Sequence, residues 1–207
     1  MKKTKNILFV CSGAAIVFLI IRKRKKMETT ATNTGDFYNN LVNFIKQKEG
    51  GLSNDSGDLI AAKNPSPTPQ KYHTNKGVTY KTFIDSAASL KYNPSTENFL
   101  NMPNNIWGGI FKNKFYNKAL LITKNPILAG YIAYWYWQGY DHNFLPFKLI
   151  SDTLDNSQTN KQKLQGLVNL RKLYYSNLVA KYPKYSKFLK GWMATANDFY
   201  TTFNTYL

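Results

Sequence analysis

Along most of the chain, apolar residues recur every three or four positions, the spacing that places them on one face of a helix. Phe37, Tyr38, Leu41, Val42, Phe44 and Ile45 make the first such face. Asp36 stands before it as an N-cap, and Gly50-Gly51 closes it. A second helical stretch is predicted from Tyr80 through Phe83 to Leu90, and a third from Asn113 through Leu121. Asn125-Pro126 starts another, because proline at the first helical position gives up no needed N–H. Its stripe is Ile127, Leu128, Tyr131, Ile132 and Trp135. Leu164, Leu167, Val168, Tyr174, Leu178 and Val179 define a helix that ends before Pro183. Tyr185, Phe188, Leu189, Trp192, Ala196, Phe199 and Phe203 define the last.

The period breaks between Asn54 and Thr79. That stretch is rich in Gly, Pro, Asn, Asp and Ser, carries NPSPTPQ at its centre, and predicts short strands around Gly77-Val78-Thr79. The expected fold is mainly α, with a small irregular or β region near residues 52–80. No internal repeat is present.

One apolar stretch has a different character. Ile7 to Ile21, ILFVCSGAAIVFLII, is fifteen uncharged residues between basic flanks. A membrane span usually takes about 20 residues and at the short limit about 17, and Lys5 and Arg22 can extend this one by snorkelling. No small-residue cleavage pattern precedes RKRKK, which favours an uncleaved anchor over a signal peptide. Residues 1–27 are therefore expected to contact lipid through 7–21, with 28–36 as a short polar linker. The heavier basic flank on the C-terminal side would tend to hold the main domain on the cytoplasmic face.

Composition narrows the chemistry. The formal net charge is +17, of which the first 27 residues carry +8. The remaining +9 is concentrated beyond residue 156, where Lys161, Lys163, Arg171, Lys172, Lys181, Lys184, Lys187 and Lys190 face Asp198 alone. Such a balance suits an anionic partner: nucleic acid, a membrane surface or an acidic wall polymer. A lone Cys11 excludes an internal disulfide, and with His73 and His142 the only histidines, a metal centre is not expected. No cofactor is implied. His142 beside Asp141 is a sequence neighbour rather than a facing dyad. The aromatics Trp107, Tyr134, Trp135, Tyr136, Trp137 and Tyr140 suit sugar stacking, but their helical spacing reads first as core.

In this acid-poor chain Glu49 stands directly before Gly50-Gly51, at the end of the first predicted helix. The negative end of a helix macrodipole disfavours an ionised carboxylate. Two glycines turn the chain and leave its approach open. Glycoside hydrolysis needs a carboxyl group still protonated near neutral pH, usually with a second carboxylate. Asp55 and Asp58 follow on the irregular segment.

EGGLSNDSGD followed by TNKGVT resembles the signature of glycoside hydrolase family 108, the phage-type N-acetylmuramidases with a lysozyme-like fold. Glu49, Gly50, Gly51, Asn54, Asp55 and Asp58 match its first half, and Thr74, Asn75, Gly77, Val78 and Thr79 its second. Asn169 to Ala196 is similar to that family's C-terminal helical, peptidoglycan-binding region, through Arg171, Tyr174, Tyr175, Pro183, Gly191 and Trp192. Leu52 stands where the family has an aromatic, Ser56 where it has proline, and the Pro-rich loop is an insertion. The C-terminal motif also ends without its arginine. The resemblance implies a catalytic domain over 37–155 and a binding region over 156–207. It implies Glu49 as general acid, with Asp58 and Thr74 as its catalytic partners. Gly50, Asp55, Asn75, Gly77, Tyr174 and Trp192 would line the substrate site. The implied substrate is the peptidoglycan glycan strand, cleaved at the β-1,4 bond after N-acetylmuramic acid.

The expected protein is thus a membrane-anchored muramidase, on a host membrane or the membrane of a phage particle. The alternative is a non-catalytic wall-binding or virion structural protein on the same scaffold. Nucleic acid is not the expected partner, since the aromatics follow core spacing rather than interleaving with exposed basic residues. If 1–27 is an anchor and no part of the core, residues 28–207 alone give a soluble chain with the melting temperature of the full-length protein in detergent. Aggregation or a lowered melting temperature of the truncated chain would make 7–21 a core helix.

Overall fold

The computed structural model describes residues 36–54, 71–138, 154 and 156–207. The expected anchor at 7–21, the Pro-rich loop, Asp55, Asp58, Tyr140, Asp141 and His142 lie outside the described residues. Tyr38–Leu207 is one compact unit, so the boundary expected at 155/156 does not separate two bodies. Among the described residues, no helix is long and apolar enough to cross a membrane.

The architecture is mainly helical. Helix α1 spans 36–48 and stops one residue before Glu49. Three two-residue strands follow: β1 (Leu52–Ser53), β2 (Thr74–Asn75) and β3 (Val78–Thr79). They pair antiparallel in the order β1-β2-β3, with Ser53 opposite Thr74 and Thr74 opposite Thr79. Between β2 and β3 the turn is Lys76-Gly77, and both residues have positive φ, 49° and 77°. That is the backbone of the tight hairpin turn whose twist matches its strands.

The Thr79 hydroxyl then caps α2 (Tyr80–Ala87) by accepting from Thr82 N–H, and a 3-10 turn carries the chain to Leu90. A short α3 (Thr96–Leu100) is capped by Ser95; it had no apolar period long enough to predict it. The helix expected over 113–121 starts earlier. It runs from α4 (Asn104–Phe111) through a π turn (Lys112–Tyr116) into α5 (Asn117–Ile122). Gly108 faces α1 at ordinary contact distance, and Gly109 serves close packing. A Cβ on Gly108 would lie 3.5 Å from Val42 of α1, and one on Gly109 would lie 2.7 Å from Leu90. Tyr38 of α1 donates its hydroxyl to Gly108 O at 2.7 Å across the same contact.

Helix α6 (Pro126–Trp137) begins where expected, with Asn125 accepting from the N–H groups of Ile127 and Leu128. Ile127 through Tyr136 are all buried, so the helix is central rather than amphipathic. Helices α7 (Asn160–Lys181) and α8 (Ser186–Phe203) pack on it and on each other. A capping box between Thr159 and Gln162 opens α7.

Phe199 of α8 is the hub. Its ring lies 5.7 Å from Phe44 of α1, 4.9 Å from Tyr131 and 6.4 Å from Tyr134 of α6, and it is fully buried. The C-terminal helices therefore share their core with α1 and α6. Phe199→Ala is expected to cost about 3–5 kcal/mol and to lower one cooperative transition seen alike by far-UV and near-UV dichroism. Early, separate melting of the C-terminal helices would contradict the shared core.

Candidate active site

Glu49 is the first residue beyond α1, half-buried, and followed by Gly50 at φ +59°. The left-handed conformation at Gly50 is one that a side chain resists. A Cβ there would meet nothing within 4 Å. The glycine thus serves the turn, and the space beside it is open.

Burial raises the pKa of Glu49 above the usual carboxylate range. Three groups moderate that rise, each favouring the charged form: a hydrogen bond from Trp137, another from Gln138, and the positive charge of Arg171. The indole N–H and the carboxamide N–H are the donors available on these two side chains. Both sit at the C-terminal end of α6, so that helix presents two adjacent donors to the carboxyl group.

Trp137 is itself held. Its ring lies 4.8 Å from Trp107, 5.7 Å from Phe111 and 5.3 Å from Phe115, all from α4 and the π turn. Trp107 donates its own N–H to Lys76 O at 2.9 Å, tying this aromatic cage to the hairpin turn.

The hairpin reaches the site through Gly77. A Cβ placed on it would lie 2.7 Å from Glu49 Oε2 and 3.0 Å from Trp137 Cζ2. Any side chain would displace the carboxylate or the indole, and the positive φ disfavours one as well. This joins the two halves of the sequence signature: the glycine of TNKGVT packs on the glutamate of EGG.

Thr74 and Asn75 lie on β2, and both are buried. Asn75 donates its amide to Phe99 O at 2.6 Å and to Leu100 O at 3.1 Å. Its described contacts pin the hairpin to α3, a structural use where substrate contact was expected. His73 is buried beside them, its backbone N–H donating to Ser53 O at 2.7 Å.

Tyr174 and Trp192 belong to the aromatic interface of α7 and α8. Tyr174 meets Trp135 edge-on at 6.1 Å, and Trp192 stacks on Tyr175 at 4.9 Å and on Phe188 at 5.7 Å. Arg171 is fully buried, so it drops out of the exposed basic face expected to hold a wall polymer. Lys181, Lys184, Lys187 and Lys190 remain exposed on that face.

Trp137, Gln138 and Arg171 were not singled out by the sequence as partners of Glu49. Trp137 was legible only as one of several helically spaced aromatics. Trp107, Tyr134, Trp135 and Tyr136, grouped with it, are core. Among the described residues, no group of three His, Cys, Asp or Glu could hold a metal ion.

No family model, curated protein or solved structure matches this chain.

The two turn glycines separate cleanly in a substitution test. Gly50→Ala meets open space and is expected to cost only the left-handed penalty, about 1–2 kcal/mol. Gly77→Ala carries the same penalty plus the clash with Glu49 and Trp137, and it should lose more stability in urea denaturation. Equal losses would mean that the hairpin turn does not press on the carboxylate.

Proposed function

We propose that this protein is a peptidoglycan hydrolase of the N-acetylmuramidase type, on a lysozyme-like scaffold, with Glu49 as general acid. The observation that carries the reading is the environment of that one carboxyl group. It sits at a helix end and is pushed by burial toward its protonated form. Two neutral donors and a turn glycine fix its place. A carboxylic acid of raised pKa is what protonation of a glycosidic oxygen requires near neutral pH.

In this reading the glycan lies against Glu49, which gives its proton to the leaving sugar oxygen as the C–O bond breaks. A second carboxylate steadies the positive charge that develops on the sugar ring or activates the attacking water. Asp58 is the proposed partner, through its match to the family signature. The exposed lysines of 181–190 would add attraction for an anionic wall polymer. The N-terminal apolar segment would hold the enzyme at a membrane, consistent with a phage origin.

Glu49→Gln keeps the shape and cannot donate. Turbidity clearing of purified peptidoglycan should fall by about 10²–10⁴-fold. The wild-type rate should decline as pH rises through the raised pKa of Glu49, since the acid form is then lost. Folding tightens proton binding at Glu49, so the stability linked to it is present at low pH and lost as pH rises through its folded value. The Gln variant should therefore melt above wild type on the alkaline side of that value and level with it on the acid side. Undiminished clearing by a folded Gln variant would falsify the assignment.

A further inference from the structure

Arg171 has no obvious reason to be where it is. It stands in the middle of α7, fully buried, and a buried guanidinium normally lies against a carboxylate. The ion pairs of the described residues are Lys48–Asp198 and Lys81–Asp85, both at the surface. Arg171 instead sits among four ring faces, with its guanidinium carbon 5.0 Å from the centroid of Tyr134 and 5.5 Å from that of Tyr131. Tyr175 and Trp135 close the cage at 5.6 and 5.8 Å. Ring faces attract a cation but do not neutralise it.

Its hydrogen bonds lead to one place. Arg171 Nε donates to Tyr175 Oη at 3.0 Å, and Arg171 Nη2 donates to Gln138 Oε1. Tyr175 Oη also approaches Gln138 Oε1, at 3.3 Å. With its carbonyl oxygen held this way, Gln138 must present its amide nitrogen in the opposite direction. That nitrogen donates to Tyr134 Oη at 3.1 Å and serves the Glu49 carboxyl group. An amide free to flip would offer Glu49 an oxygen half the time. A guanidinium on the carbonyl removes that choice.

We infer that Arg171, acting through Gln138, is a positioning residue for Glu49: it fixes the amide so that an N–H always faces the carboxyl group, and it supplies the site's buried positive charge. The purpose of the device rests on Glu49 acting as an acid; its existence does not. Among the described residues Arg171 from α7 is the group whose charge is felt at Glu49, and Tyr134 from α6 feels the charge of Glu49 in turn. The hairpin contributes the backbone at Gly77. Arg171 and the Gln138 donor both favour the carboxylate, opposing the effect of burial. Arg171 thus keeps the acid from becoming too weak to release its proton.

The chain has only three glutamates, Glu28, Glu49 and Glu97, so carbon-13 labelling of glutamate carboxyls gives a spectrum readily assigned by Glu49→Gln. The Glu49 resonance is followed against pH in the full chain in detergent for wild type, Arg171→Met and Gln138→Met. Loss of the opposite charge in Arg171→Met should move the Glu49 midpoint upward. Gln138→Met should move it upward too, and Arg171→Met should shift the midpoint less in the Gln138→Met background than in wild type, which an arginine acting on Glu49 by charge alone would not do. Midpoints unchanged in both folded variants would overturn the inference. Should Arg171→Met fail to fold, Arg171→Lys takes its place: it keeps the charge and gives up the guanidinium fork on Gln138, so a raised midpoint reports the positioning and an unmoved one overturns it. The titration needs no substrate. Shifted midpoints with full lysis by Glu49→Gln would sink the proposed function and leave this inference standing. Unmoved midpoints with a dead Gln variant would do the reverse.

Discussion

A desolvated positive charge organises the heart of this molecule. Removing a guanidinium from water costs several kcal/mol, and Arg171 offsets part of that cost through four aromatic faces, a phenol and a carboxamide, while its Nη1 is buried without a hydrogen-bond partner. Each of those partners comes from α6 or α7. The two helices must therefore stay in register for the charge to be tolerated at all. Helix α6 ends in Trp137 and Gln138, so the same register aims two donors at Glu49. Stability of the core and readiness of the candidate acid are one problem with one solution.

This coupling changes the meaning of the C-terminal helices. The sequence predicts a separate wall-binding region there, yet Phe199 packs against Phe44 on the very helix that delivers Glu49. Lys48, one residue before the acid, is paired with Asp198 of α8 at 2.6 Å. An exposed pair of this kind contributes little energy, but it falls on the same seam. Helices α7 and α8 thus form part of the scaffold of the acid, whatever their outer face binds.

Much of the helical framework was legible from periodicity and caps. Asn125-Pro126, Pro183 and the Gly50 stop each mark a boundary by a local mechanism that needs no tertiary context. The failures have a common cause. The helix expected from Asn113 starts at Asn104, because local propensity cannot show that Leu90 needs the space beside Gly109. Asn75 reads as a ligand-facing amide because the sequence does not reveal the Phe99 and Leu100 carbonyls. At the site, Glu49 and Gly77 were legible through the spacing of the signature. Gln138 and Arg171 were not, because a glutamine at a helix end and an arginine in a basic helix carry no local sign of burial.

The π turn at Lys112–Tyr116 has a consequence for what this chain can lose. In an α-helix, four residues overshoot one full turn by about 40°, so Trp107, Phe111 and Phe115 would spiral progressively away from a common target. The wider π turn makes four residues fall short of a turn, and the two errors cancel. All three rings then meet Trp137. Deleting any single residue from 112–116 would leave a more regular helix and a more conventional sequence. A deletion at 112–114 would bring Phe115 three positions after Phe111, about 60° round the helix from it, loosening the indole that faces Glu49. The length of this segment, more than the identity of its exposed residues, is what a functional descendant of this chain would have to preserve.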